Sequence, residues 1–181
     1  MGRIVVHEFI TLDGVIENPA WSMDYPFDPR MGQAIGGIMR QSKALLMGRH
    51  TYEMFAPAWS ARTAEDDPGA PFMNESPKYV VSATLRDPDW SNSTVLGPYD
   101  RDAIGSLKGS TEGDIYVSGS KTLVGALLAD GLVDELHLFM YPLTLGTGLR
   151  LFDDDLAVKL ALAESETYES GVVHLAYRPA V

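Results

Sequence analysis

The stretch Leu46-Met47-Gly48-Arg49-His50-Thr51-Tyr52-Glu53 decides how this chain is read. Lys43 to Met47 is a short apolar run of strand length. Gly48 ends it, and a residue without a Cβ lets backbone come close to a ligand. The residues that follow open a short helix. Their first N–H groups have no intrahelical partner and lie at the positive end of the helix dipole. That arrangement suits a phosphate. Arg49 can fork onto a phosphate with two charge-assisted bonds, and His50 and Thr51 add donors. The same residues also suit an ordinary βα turn with solvated side chains.

Two other strand ends carry donors. Val117-Ser118-Gly119-Ser120-Lys121-Thr122 repeats the design of strand, small-residue turn and helix start, although Ser118 or Ser120 also serves simply as a helix N-cap. Val80-Val81-Ser82-Ala83-Thr84 is a strand end with hydroxyls. None of these is a G-x-G-x-x-G turn or a P-loop. In open α/β sheets, ligands bind outside the carboxyl ends of the strands. Three such ends in one chain point to one dinucleotide crevice.

The rest of the chain supplies the sheet. Arg3 to Leu12 reads as a buried strand, and Asp13-Gly14 turns it into a loop that runs to Phe27. Asp28-Pro29 reads as N-cap and first residue of a helix with Met31, Ala34, Ile35, Ile38 and Met39 on its apolar stripe. Ala56 to Pro77 has no clear period and reads as a mobile surface loop. Strands are expected at Lys78–Ser82, Ser93–Leu96, Asp114–Val117 and Val133–Tyr141, with a helix over Pro98–Lys108 and another after Ser120 that stops at Gly131. Val158–Thr167 and Val172–Arg178 form a hairpin. Alternating strands and helices followed by a hairpin predict a three-layer α/β/α domain over residues 1–181. Its sheet should be mostly parallel and twisted, with an antiparallel edge.

Composition narrows the partners. The chain has 181 residues, 14 Lys and Arg against 25 Asp and Glu, and a net charge of −11. Broad binding to nucleic acid or to an anionic membrane is not expected, because both need a basic footprint. A single anionic small ligand needs only local donors. There are no cysteines, which fits a reducing cytoplasm. A charge enters the N-terminal segment too early for a signal peptide, and no apolar run is long enough for a bilayer. The N-x-S/T sites at Asn74 and Asn92 are then read as chance. Val133–Tyr141 and Val172–Arg178 are apolar on both alternations, so one face is expected to pack in a homodimer.

Leu46–Glu53 closely resembles the segment with which dihydrofolate reductases grip their cofactor's phosphates. Leu12-Asp13-Gly14-Val15-Ile16, Val80–Leu85, Trp90-x-Asn92-Ser93 and Val117–Ser120 follow in the order of that fold. The tail from Val133-Asp134-Glu135-Leu136 through Pro142-Leu143-x-Leu145-Gly146-x-Gly148-x-x-Leu151-Phe152 resembles the C-terminal reductase domain of the bifunctional riboflavin deaminase–reductase. The chain is thus similar to stand-alone members of this dihydrofolate reductase-like superfamily over essentially its whole length.

The resemblance implies NADPH as hydride donor and a small heterocyclic substrate. An aminouracil carrying a phosphoribosylamino group, as in riboflavin biosynthesis, is the nearest choice. It places Gly48, Arg49, His50 and Thr51 on the adenosine phosphate and pyrophosphate, and Ser82 near the 2′-phosphate. Ser118, Gly119, Ser120, Lys121 and Thr122 would meet the pyrophosphate from the other side, and Phe9 and Ile16 would line the nicotinamide pocket. Strand alternation then puts His7 with Phe9 on the substrate side, with Glu8 on the opposite face and outside the pocket. His7 and Asp13 are the candidate proton sources, although each also has a structural reading, as a core histidine and as a turn residue.

The substrate side departs from the pattern. Dihydrofolate reductases carry a carboxylate in the first turn of the helix that begins here at Pro29, where this chain reads Arg30-Met31-Gly32. Efficient turnover of dihydrofolate is therefore not expected. A dinucleotide-binding module without catalysis is the rival reading. Asp153-Asp154-Asp155 reads as an acidic surface loop, and His50, His137 and His174 have no ligand spacing, so no metal is expected.

Overall fold

The computed structural model describes residues 2–152 and 156–180, so Asp153–Asp155 lie outside the described residues. The strands are β1 (Ile4–Thr11), β2 (Ser42–Gly48), β3 (Lys78–Val81), β4 (Ser93–Gly97), β5 (Asp114–Ser118), β6 (Val133–Tyr141), β7 (Leu160–Thr167) and β8 (Val173–Pro179). The helices are α1 (Pro29–Gln41), α2 (Arg49–Trp59), α3 (Ala70–Glu75), α4 (Arg101–Ser110) and α5 (Lys121–Ala129). A 3-10 turn spans Pro19–Asp24.

One sheet of eight strands runs in the order β4-β3-β2-β5-β1-β6-β8-β7. Its first six strands are parallel, and β8 and β7 add on antiparallel. This is the expected dihydrofolate reductase-like α/β architecture. Ile4, Val6 and Ile10 face a core shared with Ile104 of α4 and Leu123, Val124, Leu127 and Leu128 of α5. On the other face, Val5 packs with Ile38 of α1, Tyr52 and Ala56 of α2 and Met73 of α3. Phe139 and Tyr141 of β6 pack there with Met31 of α1. Burial of β1 on both sides explains why it carries apolar residues on both alternations.

Local signals placed most boundaries. Asp28 accepts the N–H of Arg30 at 2.9 Å as the N-cap of α1. Asp100 accepts the N–H groups of Asp102 and Ala103, so α4 starts three residues beyond the expected Pro98. Ala56–Pro77 is not a structureless loop. α2 continues through Pro57 to Trp59, and α3 buries Ala70 and Met73. The hub is Asn74, whose amide donates to the carbonyls of Trp59 and Arg62 and whose oxygen accepts from Trp90 Nε1 at 2.8 Å. Lys78 is fully buried beside it. Its ammonium donates to the carbonyls of Asn74, Ser76 and Ser91 and lies 4.7 Å from the Trp90 ring, and burial lowers its pKa to about 8. Polar side chains hold this segment, and hydrophobic period cannot reveal them.

The hairpin also differs from its expected role. β6 is covered on both faces within the chain, because Leu136 and Leu138 pack in one core cluster and Phe139 and Tyr141 in another. The uncovered surface is the edge strand β7, where Leu162 is 54% exposed. A register shift between Leu162 and Glu164 breaks the alternation there.

Three histidines meet in the middle of the sheet. His7 and His137 are register partners on β1 and β6, and His137 Nδ1 lies 2.9 Å from His174 Nε2 on β8. His137 Nε2 reaches Glu135 at 2.9 Å, and His174 stacks on Phe139 at 4.3 Å. Burial lowers the pKa of all three, aided by neighbouring histidines at His7 and His174, to about 3 for His7 and about 4 for His174. A histidine held neutral in the fold lets the unfolded chain bind more protons at acid pH. Stability is then full above the ordinary value of 6.5 and falls as the pH drops toward the folded value. For His7 alone the loss between pH 7 and pH 5 is about 2 kcal/mol. Urea denaturation at those two pH values should show the wild type losing about that much more than His7→Gln. Equal losses in the two proteins would refute the assignment.

Candidate active site

The site follows from where strands stop pairing. β1 pairs with β6 from Ile4 to Thr11, but with β5 only as far as His7, opposite Ser118. On its other edge, β5 is paired with β2 only to Tyr116, opposite Leu45, while β2 continues beside β3 to Gly48. β5 therefore leaves the sheet at its carboxyl end, between two strands that run on. The chain turns there through Gly119 and Ser120, both in the left-handed region at φ 72° and 76°. Gly tolerates this conformation, whereas for Ser it is strained.

Two helix starts meet at this opening. A Cβ on Gly48 would collide with Ser120 Oγ, and one on Gly119 would sit 3.3 Å from Thr51 Oγ1. The β2–α2 and β5–α5 turns thus interlock closely at these two glycines, and a side chain at either position would displace Ser120 or Thr51. Neither Gly48 nor Ser120 provides a side-chain cap for its helix. Both helices thus start without a side-chain cap, and an anion suits helix N-termini of this kind.

The structure brings Gly48, Thr51, Gly119 and Ser120 together, with Ser118, Lys121 and Thr122 flanking them. Arg49 and His50 are exposed at the start of α2, where Arg49 pairs with Glu53 at 2.9 Å. Ser82 is buried, and its oxygen accepts the N–H groups of Thr84 and Leu85, so it serves the turn after β3. Phe9 and Ile16 belong to different clusters. Phe9 packs with Phe139 and Tyr141, and Ile16 with the α5-side core.

Both candidate proton sources are committed elsewhere. His7 is buried and neutral, with Nδ1 2.8 Å from the Tyr116 hydroxyl and Nε2 without a partner. Asp13 accepts from Thr11 Oγ1 at 2.5 Å and from the N–H groups of Gly146 and Leu145, which hold its pKa down to about 2. It stays ionised and ties the first loop to residues 142–151. That tie also includes Leu12 to Leu143, Ile16 to Leu149 and Leu151 to Gly14 backbone bonds. The positive φ of Gly146 and Gly148 serves this loop pairing.

Glu8 is a further carboxyl at this end of β1. It lies on the face opposite His7 as expected, yet it is only 4% exposed and is the first β1 residue beyond the last pairing with β5. Its Oε1 has no partner, and burial raises its pKa to about 8 against the opposing effect of the Gly119 N–H. The available signal was a carboxyl among Val6 and Ile10 on the buried face of a strand, a placement rare without a purpose.

The other side of the opening is aromatic. Trp21 and Tyr25 meet the Tyr141 ring edge-on at 5.2 and 5.4 Å, and Phe9 does so at 5.4 Å. Met31 is buried beneath, accepting a weak bond from the Tyr141 hydroxyl at 3.8 Å. Asp28 is held by Arg30 and cannot supply the carboxylate missing from this helix. Among the described residues, no group of three or more His, Cys, Asp or Glu could hold a metal ion, and no helix could cross a membrane.

Known proteins share this fold. The chain is 28% identical to the uncharacterized protein YyaP of Bacillus subtilis over 183 residues, covering 97% of this chain and 94% of that one. A putative riboflavin biosynthesis protein from Shewanella superposes with a TM-score of 0.81 at 21% identity, over the full length of both chains. Dihydrofolate reductase from Enterococcus faecalis, complexed with NADP(H), superposes with a TM-score of 0.65 at 14% identity, covering 99% of this chain and 98% of that one. The family model of the RibD C-terminal domain matches residues 3–174. The chain therefore belongs to the RibD C-terminal domain family, and it has the dihydrofolate reductase-like fold.

Proposed function

We propose that the protein is an NADPH-dependent reductase that transfers hydride to a small electron-poor heterocycle, of the aminopyrimidine kind handled in riboflavin biosynthesis. The observation that carries this reading is the interlock of Gly48 with Ser120, which sets two uncapped helix N-termini side by side at the carboxyl end of the sheet. Family membership and the NADP(H) complex of the Enterococcus faecalis relative support it. The residues present fit a dinucleotide, because the close contact of Gly48 with Ser120 and of Gly119 with Thr51 brings together two helix N-termini without side-chain caps, which suit a diphosphate. When bound, the reduced nicotinamide supplies the hydride.

The chain's own residues bind, orient and exclude water. Gly48, Thr51, Gly119 and Ser120 form the cradle. Arg49 is free to reach a 2′-phosphate, since an exposed i,i+4 pair such as that with Glu53 is worth only about 0.3–0.5 kcal/mol. Phe9, Trp21 and Tyr25, packed on buried Tyr141, offer an apolar, π-rich wall to a flat ring. One observation favours the rival reading of a binding module without catalysis: neither His7 nor Asp13 holds a transferable proton near neutral pH. Mixing the protein with NADPH and a panel of pterins and aminopyrimidines, and following the reduced-nicotinamide absorbance, separates the two readings. Binding without oxidation of NADPH on any member supports the module.

Calorimetric titration should show tighter binding of NADPH than of NADH. Arg49→Ala should remove about 1.5–3 kcal/mol of that preference, the worth of a charge-assisted contact. Equal affinity of the wild type for both cofactors defeats the assignment of Arg49. Dihydrofolate should be turned over with kcat/KM below the enzymatic range of about 10⁴–10⁸ M⁻¹s⁻¹, because buried Met31 cannot anchor an amidine edge. A value within that range overturns this reading of α1. We also propose a homodimer, now resting on the exposed apolar edge at β7. Light scattering at micromolar protein should give twice the chain mass, and a monomer mass refutes it.

A further inference from the structure

Glu8 is a buried carboxyl that the proposed chemistry leaves unused. It sits where β1 outruns β5, next to the turn that interlocks with Gly48. The Gly119 N–H reaches its carboxyl, while Oε1 is buried without any partner. An orphaned buried oxygen costs about 1–3 kcal/mol, so a native structure that keeps one has a use for it. A carboxylic acid needs one donor for its carbonyl oxygen and one acceptor for its hydroxyl. The donor is present here, and the acceptor is missing.

We propose that Glu8 is a further cofactor-binding residue: as a neutral acid it accepts from Gly119 and donates through Oε1 to an acceptor oxygen of the anionic dinucleotide. This rests on the dinucleotide reading above. A carboxylate in the same place would repel the diphosphate at close range in a water-poor setting. A neutral acid attracts it and needs no counter-charge.

The surroundings agree. Burial is the largest cause of the raised pKa, and no charged side chain contributes to it. Tyr116 on β5 feels the charge of Glu8 and is itself pushed up by burial. Leu138, its register partner on β6, is apolar, and Lys121 is the cation at the head of α5. With Glu8 ionising at about 8 in the free protein, binding must take up a proton at higher pH.

The test is calorimetric titration of the protein with NADPH at pH 7 and pH 9.5, each in two buffers of different ionisation enthalpy. The wild type should bind about 30-fold more weakly at pH 9.5 and take up close to one proton there. Glu8→Gln keeps a donor and an acceptor, so its affinity should stay near that of the wild type at pH 7 and change far less with pH, without the proton uptake. Lys78, which titrates in the same range, is common to both proteins and cancels. Glu8→Leu, shown to be folded by circular dichroism, should bind at least tenfold more weakly at pH 7. Identical pH profiles and proton uptake in wild type and Glu8→Gln overturn the role of Glu8 while leaving the cofactor reading intact. No binding of NADPH to the wild type at either pH overturns both.

Discussion

Parallel pairing along β1 holds the sheet together, and its unequal length on the two edges makes the site. β6 accompanies β1 to Thr11, whereas β5 stops at the level of His7. β5 then turns out of the sheet through two left-handed residues, Gly119 and Ser120, and becomes α5. A backbone groove opens between β1 and β2 because their common neighbour has left. The order of strands puts that groove at the centre of the sheet, outside the carboxyl ends, where α/β folds hold their ligands.

The two ends of the sheet differ in their electrostatics. At the amino ends, charges are neutralised internally: Arg3 forks onto Asp114 at 2.6 and 3.0 Å, and Lys108 pairs with Asp134. At the carboxyl ends of β2 and β5, backbone N–H groups of α2 and α5 stand without side-chain caps. A chain with net charge −11 can present a positive potential to an anion there, because partial charges at close range outweigh screened charges on the far surface. Asp13, although close in sequence to the opening, spends its charge on Gly146 and Leu145 and fixes the loop at residues 142–151.

Buried polar groups carry much of the specificity of the fold. Lys78, Asn74, His137 and His174 are satisfied by partners distant in sequence, from Ser91 and Trp90 to one another. Glu8 Oε1 and His7 Nε2 are the two buried side-chain atoms of β1 without a partner. They lie on opposite faces of one strand at the point where the pairing with β5 ends. An incomplete hydrogen-bond inventory at a strand split is what a binding site looks like before its ligand arrives.

Sequence alone determined the order of the strands and of every helix but α3, the parallel sheet with its antiparallel edge, the cap at Asp28, and the glycines that end β2 and follow β5. These follow from local signals: periodicity, capping residues and glycines at strand ends act over a few residues and can be read along the chain. Tertiary structure alone decided the fate of Ala56–Pro77, the uses of His7, Asp13 and Ser82, the separation of Phe9 from Ile16, and the position of Glu8. Each of these depends on a partner far away in the chain, such as Trp90 for Asn74, Gly146 for Asp13 or Gly119 for Glu8. Alternation assigned Glu8 to the correct face, but only the early departure of β5 turns that face into the wall of a crevice, because a strand's pairing length is set by its neighbours and not by its own residues.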